Sequence, residues 1–298
     1  MASDPLGTTV RRNPATERTA GELRAEAQKL RRTMLRMASD KGEGYIAQGM
    51  DIADLLTVLY FRELAFDPHD PEWSGRDRFV LSIGHYSIAL YAVLHRIGYI
   101  DEAELDTFGL NGARLALSTF DDQPGVEITG GSLGHGLGQA VGMALGYRID
   151  GHPGRIVCAI GDGELQEGSI WESAMAASAH AVDNLVLVID CNGIQADGPT
   201  VLGMEPIADK WRAFGWDTQE IDGNDIEALM TAFDNARALD GKPKAIILRT
   251  TPGKGIPTLV ARERAHFVRV DPDEWAKLRA ELDENYDGPS SDERNSRG

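Results

Sequence analysis

The chain has 298 residues, of which 42% are hydrophobic and 26% charged, a globular balance with enough apolar material for a sizeable core. Its net charge of −17 excludes nucleic acid and anionic membrane surfaces as natural partners, because both repel an acidic protein. An anionic substrate therefore needs a local positive site, such as a metal ion or helix amino termini.

Residues 1–18 are polar with scattered Arg and Pro, and they predict a disordered tail without the apolar core of a signal peptide. Residues 21–39 predict an amphipathic helix with Leu23, Ala27, Leu30, Met34 and Met37 on one face. A second helix is expected over 51–64, carrying Ile52, Leu55, Leu56 and Leu59. The strand-like run 78–82 precedes a third helix at 85–97. From residue 156 the pattern changes, and short apolar runs at 156–160, 185–190 and 245–248 alternate with helical segments. Uninterrupted apolar strands of this kind predict a doubly wound parallel α/β sheet covered on both faces, here with helical elaborations at its amino end. Such sheets bind ligands at the carboxyl ends of their strands. Cys158 and Cys191, the only cysteines, lie within or directly after those runs, which argues against disulfides and for a reducing compartment. No stretch approaches the ~18 apolar residues of a membrane span, so a cytoplasmic location is expected. Residues 285–298 predict a second disordered tail, leaving 19–284 as one folded domain.

The first apolar strand runs into Gly161-Asp162-Gly163-Glu164, and the second into Cys191-Asn192-Gly193-Ile194. A Gly-Asp-Gly alone reads equally well as a tight turn. Followed about thirty residues later by Asn-Gly-Ile after the next strand, it resembles the thiamine diphosphate fingerprint. Magnesium takes six oxygen ligands and binds phosphates through one or two protein carboxylates. Asp162 can supply a carboxylate oxygen, Asn192 an amide oxygen and Ile194 a main-chain carbonyl, leaving room for diphosphate oxygens and a water. Gly161 and Gly163 permit close approach to phosphate, with Glu164 beside them, and a helix opening near Gly168 adds amide dipoles.

The runs 161–179 (GDGELQEGSIWESAMAASA), 125–145 (GVEITGGSLGHGLGQAVGMAL), 77–92 (DRFVLSIGHYSIALYA) and 209–215 (DKWRAFG) resemble the transketolase family. With His266, the likeness covers roughly residues 29–282. It is similar to split transketolases, in which one polypeptide holds the diphosphate-binding (PP) domain and another the pyrimidine-binding domain.

The resemblance implies thiamine diphosphate and Mg²⁺ as cofactors. The reaction it implies is reversible transfer of a two-carbon ketol unit from a ketose to an aldose, with sugars or sugar phosphates as substrates. It implies that His85 contacts the cofactor and reacting centre, that Gly131, Ser132 and Leu133 line the cofactor, and that His266 reaches its diphosphate or the substrate. His85 and His266 are then the candidates for proton and oxyanion handling. Glu167 and Glu172 match acids proposed to relay protons near a subunit interface, ordinary helix-surface acids being the alternative. The glycine-rich stretch 130–138 superficially resembles a dinucleotide loop, yet lacks a preceding strand and a ribose-binding acid; close helix packing is its plainer use.

In this family the glutamate that activates the cofactor lies in the second domain, for which the chain has no room. The expectation is a subunit inactive alone, paired with a second chain in an α2β2 assembly. Three positions depart from the family pattern. Tyr45 stands where a sugar-binding histidine is usual, His135 stands for a usual Gln, and residues 115–122 contain no histidine where the family has one. They point to an altered donor or acceptor. Two other readings remain at this stage: the α subunit of a 2-oxo acid dehydrogenase, and a non-catalytic scaffold of the same fold.

Overall fold

The computed structural model describes residues 18–196 and 198–286. Most of the two predicted tails lies outside these, at residues 1–17 and 287–298. Within them, Arg18 pairs with Glu26 and Asn285 closes the last helix.

Five parallel strands form the sheet: β1 (Arg78–Leu81), β2 (Ile156–Gly161), β3 (Leu185–Cys191), β4 (Asp217–Asp222) and β5 (Lys244–Arg249). Their spatial order is β1-β2-β3-β5-β4. The strands read as continuous apolar runs because alternate residues serve two different cores. Phe79, Leu81, Val157, Ala159, Val186, Val188, Ile246 and Leu248 face one core. Val80, Ile156, Cys158, Ile160, Leu185, Leu187, Ile189 and Ile247 face the other. Helices α1 (Ala20–Lys41), α2 (Ile46–Asp51), α3 (Ala53–Val58) and α4 (Ser87–Arg96) cover the first face. Helices α5 (Gly136–Ile149), α6 (Gly168–Ala179) and α7 (Ile207–Ala213) cover the second. Two later helices, α8 (Ile226–Asn235) and α9 (Trp275–Glu284), return to the first face through Leu229, Phe233 and Leu278. The predicted architecture is therefore the observed one. Both cysteines are buried and free. Among the described residues no helix is long and apolar enough to cross a membrane.

β4 is an element the apolar pattern misses. Its sequence, DTQEID, holds one hydrophobic residue, Ile221, and it pairs on one side only, with β5. An edge strand buries little, so selection for an apolar run is weak there.

α1 begins at a capping box in which the Thr19 hydroxyl accepts from the Glu22 amide while Glu22 accepts from the Thr19 amide. Its predicted apolar face, from Leu23 to Met37, is buried.

The helix expected over 51–64 is found as α3 and a π-helical turn at Leu59–Glu63, and a break at Ile52 separates it from α2, a helix not expected from the sequence. The cause is a side chain on another helix. Arg31 of α1 donates through Nε and Nη2 to the Met50 carbonyl (3.2 and 3.0 Å) and through Nη1 and Nη2 to both Asp54 oxygens (3.0 and 2.6 Å). Asn224 adds donations to the Asp51 carbonyl (2.8 Å) and to Asp54 Oδ2 (3.1 Å). The groups freed by the break are thus satisfied from outside the helix, which hydrophobic periodicity cannot register.

Arg31 and Asp54 are almost fully buried, with side-chain exposures of 8% and 6%. Removing one partner strands the other charge, at a cost of about 3–5 kcal/mol, whereas removing both is far milder. Arg31→Met is expected to lower unfolding stability by about that amount, and Arg31→Met with Asp54→Leu to recover most of it. Urea denaturation of the two variants checks this.

Candidate functional site

The carboxyl ends of β1, β2 and β3 lead into a cavity of about 520 Å³, large enough for a cofactor. β2 and β3 run in register, Gly161 opposite Asp190, and the Asp162 amide donates to the Asp190 carbonyl at 2.9 Å. The two motif loops are thereby held side by side. Asp162 Oδ1 accepts from the Gly163 amide and Oδ2 from the Gly193 amide, each at 2.7 Å. Asn192 Oδ1 accepts from the Ile194 amide at 3.0 Å.

The orientation of the Asn192 amide is dictated by what surrounds its nitrogen. Nδ2 lies 2.9 Å from Asp51 Oδ2, 2.9 Å from the Tyr86 hydroxyl and 3.0 Å from Asp190 Oδ2. Three oxygens around one NH₂ group leave the amide oxygen turned toward the Gly193–Ile194 loop. The acids behind it are held in turn, since Asp190 accepts from Tyr86 at 2.8 Å and also from Thr250. Burial pushes the Asp51 and Asp190 carboxyls well above the usual carboxylate range, and nearby negative charge adds to it. Asp162 is raised too, with burial the largest cause and the Gly193 and Gly163 amides opposing it.

Asp162 is a buried carboxylate whose hydrogen-bond partners are backbone amides, with no cationic side chain among the described residues bonded to it. That environment fits a cation. The donor set of one carboxylate, one amide oxygen and one main-chain oxygen suits magnesium bound jointly with phosphate. Among the described residues no cluster of three or more His, Cys, Asp or Glu could hold a metal by itself. Four buried polar atoms in or beside the cavity lack protein partners: Gln48 Oε1, Asp51 Oδ1, Ser118 Oγ and Glu164 Oε2. Such orphans are costly unless water, an ion or a ligand meets them.

Of the residues singled out from sequence, His85, Gly131, Leu133, Gly161, Asp162, Gly163, Glu164, Glu167, Ile194 and His266 all line the cavity. Asn192 sits behind the wall, half-buried, holding its loop. Ser132 is exposed and off the wall. Glu167 precedes α6 at the cavity rim, and Glu172 lies on the exposed side of α6.

Glu164 has a structural task as well. Oε1 accepts from the Ser82 hydroxyl and from the Gly134 amide (2.6 Å), and Ser82 Oγ accepts from the Gly136 amide (3.0 Å). The glycine-rich loop is thereby fastened to the ends of β1 and β2. Gly84 and Gly130 meet backbone to backbone, so a Cβ on Gly84 would lie 2.5 Å from Gly130 Cα. Close packing is a use of this stretch, as expected.

His85, His266 and Tyr45 form one aromatic cluster. Tyr45 meets His85 at 4.8 Å between ring centroids and His266 at 5.3 Å, and the two histidines are 5.1 Å apart. Burial pushes the His85 imidazole down to about 3, with His266 contributing, so His85 is neutral at physiological pH. Of the three departures from the family pattern, Tyr45 and the histidine-free stretch, through Leu117 and Ser118, line the cavity. His135 is exposed and turned onto the Ser132 and Leu133 carbonyls (3.1 and 3.2 Å), away from the wall.

Sequence reasoning missed Asp51, Tyr86, Asp190 and Thr250. A charged residue ending an apolar strand at its carboxyl end was the signal for Asp190, and an acid among the apolar residues of α2 for Asp51.

The sequence profile described as the transketolase, thiamine diphosphate binding domain, matches residues 24–289. The chain is 53% identical over 255 residues to an uncharacterized transketolase family protein of Sinorhizobium fredii, covering 84% of this chain and 91% of that one. It is 39% identical over 265 residues to a 6-deoxy-6-sulfo-D-fructose transketolase subunit of a Clostridium species (88% and 96% covered). It is 37% identical over 236 residues to one subunit of the apulose-4-phosphate transketolase of Phocaeicola vulgatus (78% and 84% covered). The transketolase structure from Leishmania mexicana superposes with a TM-score of 0.81 at 30% identity, covering 88% of this chain but 41% of that longer one. With the parallel sheet, the loop pair at its carboxyl edge and these likenesses together, the chain belongs to the transketolase family as a thiamine diphosphate-binding domain.

Proposed function

We propose that this chain is the diphosphate-binding subunit of a two-chain transketolase, with residues 19–284 as its PP domain. The reaction is transfer of a two-carbon ketol unit from a ketose or ketose phosphate to an aldose. The observation that carries this reading is the buried Asp162 carboxylate, bonded only to backbone amides and set beside an Asn192 whose oxygen faces the Gly193–Ile194 loop. Asp162, Asn192 and the Ile194 carbonyl hold Mg²⁺, and through it the diphosphate. When bound, thiamine diphosphate supplies the thiazolium carbon that carries the ketol unit and takes up its electrons.

The chain's own residues bind and orient. Gly131 and Leu133 border the cofactor, and the neutral His85 exchanges hydrogen bonds at the reacting oxygens without bringing a charge. His266 handles the developing oxyanion. Glu167, at the cavity rim just before α6, and Glu172, on the exposed side of α6, are both suited to meeting a second chain.

The partner supplies the glutamate that activates the cofactor and completes an α2β2 assembly. Two relatives that this chain matches over most of their length are named as subunits, which supports the partner requirement. The substrate differs from ordinary pentose phosphates. Tyr45 stands in the cavity where an imidazole is usual, and the histidine-free stretch lines it through Leu117 and Ser118, which favours a branched or less phosphorylated sugar. Sugar transketolases acting on a sulfo-sugar and on apulose 4-phosphate are among the relatives, consistent with variation at this wall.

Asp162→Asn keeps the side-chain shape and removes the charge. Removing the charge relieves the burial that raises the Asp162 carboxyl, but the new NH₂ group must face the Gly163 or Gly193 N–H, so the apo chain is expected to lose about 1–3 kcal/mol of stability. Affinity for thiamine diphosphate in Mg²⁺ is expected to fall by about 2–5 kcal/mol, as for loss of one buried charge partner. Calorimetric titration reads the second effect and thermal unfolding the first; an unchanged affinity refutes the metal site.

The isolated chain is expected to bind cofactor yet show no ketol transfer, and mixing with the subunit encoded beside it is expected to restore activity. Full turnover by the chain alone refutes the two-chain reading, and decarboxylation by the complex of a 2-oxo acid with no 3-hydroxyl, such as pyruvate, replaces it with a 2-oxo acid dehydrogenase. In a substrate panel, xylulose 5-phosphate with ribose 5-phosphate is expected not to be the best pair. Tyr45→His is expected to raise kcat/KM for that pair relative to the native substrates.

A further inference from the structure

Helix α2 carries two polar side chains with no exposure at all, Gln48 and Asp51. Asp51 holds Asn192. Gln48 reaches the other half of the site: its Nε2 lies 3.1 Å from Nδ1 of His266, 218 residues away in the chain. Its Oε1 is buried with no hydrogen-bond partner. A primary amide is costly to bury among apolar neighbours unless the bonds it makes there are useful.

An amide nitrogen only donates, so Nδ1 of His266 accepts, and the neutral ring then carries its proton on Nε2. Turning the amide over would place its oxygen on an Nδ1–H and make Nε2 the basic nitrogen. It would also put two N–H groups where Oε1 now sits without a partner. A buried N–H left unmet is rarer in folded proteins than a carbonyl left partly unmet, which favours the observed orientation. The ring plane is already braced by Tyr45 at 5.3 Å and by His85 at 5.1 Å. Those contacts position the ring but do not choose between its nitrogens. Gln48 does.

We propose that Gln48 is a positioning residue that holds His266 as its Nε2–H tautomer, making this histidine a hydrogen-bond donor to an anionic oxygen rather than a proton acceptor. The proposal rests on the ketol-transfer reading for its catalytic consequence, while the tautomer itself is independent of that reading.

Nitrogen NMR of the full-length chain labelled with ¹⁵N-histidine reads the tautomer directly, with His266 assigned by its loss in His266→Gln. A pyrrole-type Nε2 and a pyridine-type Nδ1 are expected; the reverse overturns the proposal. In the two-chain complex, with hydroxypyruvate as the ketol donor, Gln48→Met is expected to lower kcat about 10-fold or more, the usual scale for removing the support behind a site residue. KM for hydroxypyruvate and affinity for thiamine diphosphate are expected to stay at wild-type values, which separates positioning from a collapse of the site. Gln48→Glu keeps a hydrogen bond to the ring but as acceptor, so an Nδ1–H tautomer with no recovery of kcat is expected. If Gln48→Met retains both the wild-type tautomer and the wild-type kcat, the assigned role is wrong. A wild-type complex that cannot use hydroxypyruvate refutes the ketol-transfer reading, and the NMR measurement still decides the role of Gln48.

Discussion

The site depends on the amide nitrogen of Asn192 being surrounded by acceptors. Asp51, Tyr86 and Asp190 each place an oxygen within hydrogen-bond reach of it, so the side chain has one orientation available and its oxygen turns to the loop beside Asp162. A free asparagine can turn its amide over at little cost; this one cannot without facing three oxygens with a fourth. Orientation of a ligand by groups behind it is as much a part of a metal site as the ligand itself. Here the groups come from three separate parts of the chain: α2, the turn before α4 and the end of β3.

That convergence is possible because the sheet is rigid where the loops leave it. β2 and β3 are buried along their whole length and packed on both faces, so their ends cannot slide against each other without exposing both cores. The register that places Gly161 opposite Asp190 therefore also places Asp162 beside Gly193. On the other side of the cavity, Glu164 and Ser82 tie the glycine loop to β1 and β2. Loops carry the site, but strand ends and buried polar ties set where each loop can be.

What could be read in advance divides along the same line. The apolar runs of β1, β2, β3 and β5 were legible because burial on two faces forces continuous hydrophobicity, and the motifs after β2 and β3 were legible because their glycines and polar residues interrupt those runs abruptly. β4 was hidden by its edge position and polar composition. The break at Ile52 was hidden because its cause, Arg31, lies on another helix. Gln48 and Asp51 were hidden for a related reason: the short helix that carries them shows too few residues for a periodic pattern, and both polar side chains are fully buried. His135 shows the opposite failure, since alignment places it in the glycine-rich segment but the backbone turns its ring outward.

The charge of the cavity constrains how the proposed cofactor binds. Among the described residues its wall contains Asp162, Glu164 and Glu167 but neither lysine nor arginine, with Asp51 and Asp190 behind it. Arg249, the cation that acts on Asp162 through space, is itself held by Glu205 and Glu220. The amides of Gly163, Gly193 and Ile194, which would otherwise be free to receive phosphate, are committed to the Asp162 and Asn192 oxygens. A diphosphate entering alone would meet repulsion from these carboxylates. On the reading proposed above, the divalent cation is the one strong positive charge the site can offer, and a cation entering alone would lack the phosphate oxygens that complete its coordination. Each ligand must therefore raise the affinity of the other, and by linkage to the same degree. On that reading, a chain with a net charge of −17 would bind a polyanion by making the metal and the cofactor a single ligand in thermodynamic terms.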